Sequence, residues 1–159
     1  MIADHENAPP IPIRAFALTA LINAVWINAS EVFRYFAFVM PMMREAFPQV
    51  QDVAPMNLII FVRWGVWDTI LLLAVTGFVW IYLERFGASL RNALIAGTLV
   101  WASIFGILWL GLFNMNLATV PILAVALSLS WLEMLVAALI ALWGMNRFAQ
   151  VQLKTPLGV

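Results

Sequence analysis

Polar positions fall into a few short clusters along the chain, and between them run four long stretches that are almost wholly apolar. A bilayer core takes roughly 20 helical residues. The stretches at about residues 13–40, 57–83, 93–113 and 118–144 all reach that length. Their connections are short, which places successive helices side by side and reversed. The pattern therefore predicts an all-α integral membrane protein, an antiparallel four-transmembrane-helix bundle forming a single membrane domain over residues 1–159. Polar tails flank it at both ends.

The links carry their own signals. Residues 1–12 are polar and proline-rich and lack the basic start of a signal peptide, so they read as a retained tail. Pro41 is expected to end the first helix, because its ring has no N–H and disfavours helix in the residue before it. Residues 41–56, with Pro41, Pro48 and Pro55, read as a loop with one short turn at Met42–Phe47. Glu84–Asn92 reads as a charged turn. Pro121 stands near the start of the fourth span, where proline is tolerated. No repeat of fixed period divides the chain.

Composition agrees with the pattern: 65% of residues are hydrophobic and 10% charged, against about half and a quarter in soluble domains. Basic residues set the orientation of a membrane chain. Arg14, Arg85, Arg91, Arg147 and Lys154 collect on one side of the expected bundle and Arg44 stands alone on the other. Both termini are thus expected to be cytoplasmic. Trp80, Tyr82 and Trp143 fall at that boundary as an aromatic belt would.

Absences narrow the chemistry. A net charge of zero leaves no basic footprint for nucleic acid. There is no cysteine, which removes disulfides, thiolate nucleophiles, iron–sulfur clusters and zinc–thiolate sites. His5, the one histidine, is in the N-terminal tail, so haem has no ligand pair within the spans. The one lysine, Lys154, is in the C-terminal tail, so a buried Schiff base has no candidate. No cofactor and no metal site is expected. With no nucleophile–base pair and no phosphate-binding glycine loop, the residues weigh against an enzyme, and no catalytic residue is assigned.

The apolar pattern breaks most sharply at Asn23–Arg34, where Asn23, Asn28, Ser30, Glu31 and Arg34 interrupt the first span. At about 100° per residue, Asn23, Ser30 and Arg34 share one side of a helix, with Glu31 next to them. Either this side is a helix-packing face joined by amide and hydroxyl bonds, with Arg34 snorkelling outward, or its charges turn inward and pair. The second span supplies Arg63 and Asp68, and counting inward from the expected outer boundary sets Asp68 at the depth of Glu31. The expected pairing is Glu31 and Asp68 with Arg34 and Arg63. Glu133 lies on a face of the fourth span formed with Thr119, Ala126, Ser130, Ala137, Ala141 and Gly144, small residues that allow close helix approach. It points inward, either as a member of the charged layer or as a neutral acid bonded to backbone or serine. In the third span Ala102, Gly106, Trp109 and Phe113 share a face that reads as packing. Trp26, Trp67 and Trp131 either wall a pocket or fill the core.

Three functional readings follow. In the first, Asn23, Glu31, Arg34, Arg63, Asp68 and Glu133, with Trp26, Trp67 and Trp131, bind a small amphipathic or lipid-like ligand in the outer half of the bundle. In the second, the acids relay protons or cations in a transporter that requires a homo-oligomer. In the third, the chain is a non-catalytic assembly subunit whose small-residue face docks a membrane partner.

Overall fold

The computed structural model describes residues 12–149, so the expectations for the N-terminal tail with His5 and for the tail with Lys154 lie outside the described residues. Among the described residues all regular structure is helical. Four helices are long and apolar enough to cross a membrane: α1 (Ile13–Ala46), α2 (Leu58–Phe86), α3 (Leu90–Asn114) and α4 (Val120–Phe148).

α1 does not stop at Pro41, as its ring chemistry suggests, but continues to Ala46. The reason lies one turn earlier. Tyr35–Val39 is a π-helical turn, in which the Met40 N–H reaches back five residues to the Tyr35 carbonyl. The wider turn accommodates the proline ring without ending the helix. The loop that follows is correspondingly short and is held by Asp52 and Ala54 in the left-handed region (φ 55° and 48°).

α2 also runs further than its apolar stretch, to Phe86, so Glu84 and Arg85 belong to its last turn. Helix then resumes at Leu90, and the charged turn reduces to Gly87–Ser89. Gly87 takes φ 99°, and its φ sign favours glycine. The Asn92 side chain donates to the carbonyls of Phe86 (2.7 Å) and Gly87 (2.9 Å). Asn57 and Ser89 cap the starts of α2 and α3 by accepting from Ile60 N–H (3.1 Å) and Asn92 N–H (3.3 Å).

α4 is the central element and packs on each of the other three helices. Its small-residue face is spent inside the chain: Ala126, Ser130, Glu133, Ala137, Ala141 and Gly144 are all buried. Close approach follows from this composition. A Cβ added at Gly97 of α3 would meet the Met134 carbonyl oxygen at 2.8 Å and Leu135 Cα at 3.3 Å, and one added at Gly144 would overlap the Thr19 side chain of α1. Between the helices lie Ile27, Val75, Val79, Met134 and Ala138. Asn23 ties three helices together there, donating to Thr76 Oγ1 (3.1 Å) and the Ala137 carbonyl (3.2 Å).

The aromatic belt needs one correction. Trp80 is fully buried, edge-on to Phe16 (5.7 Å) with its indole N–H on Glu84 (2.8 Å). Sequence position set its height along the helix but not its direction. Tyr82 is half-buried and Trp143 exposed.

Candidate functional site

The site grows from one turn of α1. Glu31 and Arg34 are three residues apart, a spacing that sets two side chains on one helix face. Arg34 Nη2 pairs with Glu31 Oε1. Across the helix interface, Arg34 Nη1 donates to Glu133 Oε2 at 3.0 Å. The guanidinium carbon also lies 4.9 Å from the centre of the Phe105 ring, within the range of a cation–π contact. Arg34 is therefore clamped between two carboxylates and a ring, and only 6% of it is exposed. Planar forked donors suit such a double clamp better than an ammonium would.

Glu133 is held from its backbone as well: the Trp26 indole N–H donates to its carbonyl at 3.0 Å. Trp26 thus joins α1 to α4. Ser30 and Asn28 bond within their own helix, to the carbonyls of Ile27 (3.1 Å) and Ala24 (2.8 Å). Glu133 itself is 2% exposed, and its second oxygen, Oε1, has no hydrogen-bond partner among the described residues.

Asp68 comes to the same place from α2. It is 6% exposed and lines a cavity together with Glu31 and Arg34. Among the described residues it makes no ion pair and no side-chain hydrogen bond, so the expected pairing of Asp68 with an arginine is absent. Arg63 is exposed and also makes no ion pair among the described residues. Helix phase explains this. Five residues at about 100° each turn Arg63 roughly 140° away from Asp68. The depth match between Asp68 and Glu31 ignored that rotation.

The remaining expected members separate. Asn23 lies two turns deeper than Glu31, about 12 Å along the helix, and serves the helix contact described above. Trp131 is 40% exposed and bonds Thr98 on α3 (3.2 Å), away from the cavity. Trp67 does line it.

The cavity measures about 430 Å³. Its polar end is Glu31, Arg34 and Asp68, and its walls are Trp64, Trp67, Tyr35, Val39, Phe105, Leu108 and Trp109. A second hollow of about 370 Å³ shares Tyr35, Val39, Trp64 and Trp109 with it and continues to Ala54 and Pro55 of the loop. The partition between the two is aromatic. Tyr35 meets Trp64 edge-on at 4.3 Å, and the Tyr35 hydroxyl donates to the Ala54 carbonyl at 3.0 Å.

Several lining residues escaped the sequence reading: Tyr35, Trp64, Phe105, Leu108 and Trp109. The third span was read as a packing face through Gly106 and Trp109. A second π-helical turn, Ala102–Gly106, shifts the phase within α3 and presents Phe105 and Trp109 to the cavity. The density of tryptophans near Asp68 was the one visible signal.

Chemically, the arrangement offers a satisfied cation and an unsatisfied acid. Both donor edges of Arg34 used here are occupied by carboxylates, whereas Asp68 faces the cavity as an acceptor. Among the described residues no group of three acidic or histidine side chains is disposed to hold a metal ion. No protein-family model, curated protein or solved structure matches the chain.

Proposed function

We propose that this chain is an integral membrane protein, an antiparallel four-helix bundle with cytoplasmic termini, that binds a small amphipathic or lipid-like ligand in the cavity between α1, α2 and α3. Membrane insertion is supported by what the helices leave outside. Leu21, Val25, Phe61, Val62, Val66, Ile70, Ile107 and Leu110 are exposed, far more apolar surface than a water-soluble monomer leaves uncovered. Orientation rests on the basic residues. A single cysteine replacing Ser89, between α2 and α3, is expected to resist a membrane-impermeant maleimide added to intact cells, while one replacing Gln49 reacts. Labelling of Ser89→Cys from outside would reverse the orientation.

The observation that carries the ligand reading is the cavity itself: about 430 Å³, walled by aromatic side chains, with its polar groups gathered at one end. That size and polarity match a small-molecule site, and the one-ended distribution suits a molecule with a polar head and an apolar body. Native mass spectrometry of the purified protein tests it. Wild type is expected to retain a small molecule or lipid that Leu108→Trp, which fills the cavity, releases. Equal retention by the two proteins, or none by wild type, counts against a cavity ligand.

A further inference from the structure

The polar end of the cavity has a sign. Glu31 and Asp68 line it with Arg34, Glu133 holds Arg34 from outside the lining, and Arg34 is the one buried cation among the described residues. Arg34 directs its two terminal nitrogens at Glu31 and Glu133, so its charge is already matched by two carboxylates. Asp68 is the complement: more than nine-tenths buried, facing the cavity, and without a hydrogen bond or ion pair among the described residues. Trp64, Trp67 and Trp109 line the same cavity. Indole is the ring that best attracts a cation, and aromatic walls with a carboxylate are the form that recognises substituted ammonium groups. Arg34 over Phe105 is the same interaction made internally.

We infer that the cavity selects an organic cation, a hydrophobic amine or quaternary ammonium, whose charged head pairs with Asp68 and whose apolar body lies against the tryptophans. This rests on the ligand reading above and adds the charge of the ligand. An anionic amphiphile would meet Asp68, and the arginine that lines the cavity, Arg34, is already paired with two acids. A neutral one would leave Asp68 buried without a counter-charge, which is costly in an apolar setting.

Two probe ions of nearly equal size and opposite charge separate these cases. Binding of tetraphenylphosphonium and tetraphenylborate is measured by equilibrium dialysis against the protein in lipid nanodiscs, with empty nanodiscs subtracted. The expected result is saturable binding of the cation, a preference over the anion of about tenfold, and about tenfold weaker cation binding by Asp68→Asn. Thermal unfolding of Asp68→Asn serves to confirm its fold, and the ion preference of wild type stands whether or not that variant folds. A preference under threefold, or a folded Asp68→Asn that loses less than threefold, overturns the inference. Saturable tetraphenylborate binding that Leu108→Trp abolishes would leave the ligand reading standing and remove its cationic character. If neither ion binds and no molecule is retained in mass spectrometry, both readings fall.

Discussion

Replacing Arg34 with Met lowers stability by about 3–5 kcal/mol, the typical consequence of removing one partner from a buried ion pair. The size of the effect comes from what is left behind, not from what is lost. Methionine fills much of the arginine volume and keeps the contact with Phe105 apolar. Glu31 and Glu133 then face each other without the guanidinium that bridges them. Glu133, at 2% exposure, has little access to water. The measurement is unfolding in detergent micelles, followed by circular dichroism or tryptophan fluorescence. Adding Glu133→Gln to Arg34→Met removes one of the stranded acids and recovers part of the loss, giving a coupling of about 1–3 kcal/mol in the double-mutant cycle. Arg34→Met within 1 kcal/mol of wild type, or a double variant whose losses simply add, would mean that the clamp does not bear on folding.

The second large effect is expected at Gly97. Its helix lies so close to α4 that an added Cβ would sit 2.8 Å from the Met134 carbonyl oxygen and 3.1 Å from the Ala138 Cβ. The obstructing atoms are backbone or carry no rotatable bonds, so a rotamer change cannot relieve the overlap. The helices themselves must move apart. Overpacking of this kind costs about 1–3 kcal/mol, and Gly97→Leu is expected to exceed Gly97→Ala because the longer side chain drives the separation further. Gly111, by comparison, has open space where a Cβ would stand, so Gly111→Ala should hold or slightly raise the midpoint. Melting both variants in the same detergent decides the matter, and equal midpoints for Gly97→Leu and Gly111→Ala would contradict the close-packing account. Because α4 meets every other helix, displacement at Gly97 should also loosen the Glu133–Arg34 bond.

How far the chain could be read in advance follows from the range of the forces involved. The four helices were legible because apolar length is a local property, recorded residue by residue. The inward direction of Glu133 was legible for the same reason: it shares a helix face with Ala126, Ala137 and Ala141, all buried. Partnership was not. Asp68 was matched by depth to Glu31, with Arg63 expected just above to pair with the acids, yet helix rotation turns Arg63 outward. Arg34 instead reaches an acid 99 positions away, a pairing fixed by which helices become neighbours. The cavity walls were the least legible part. Tyr35 and Phe105 lie within turns that depart from α geometry, and a single helical period carried across such turns assigns the following residues to the wrong face. Pro41 misled in the same way, since the turn before it changed the backbone its ring had to fit.

The π turns at Tyr35–Val39 and Ala102–Gly106 bear on how such a cavity can change over time. Each is equivalent to one residue inserted into an α-helix, and they occur on α1 and α3, where Tyr35 and Phe105 enter the wall. Losing a single residue within either turn would restore regular helix and rotate one half of it against the other by about 100°. Hydropathy and helix content would barely register the loss, yet Tyr35 or Phe105 would leave its place. Chain length within these turns, as well as residue identity along the wall, is then a variable by which the site would open, narrow or be lost.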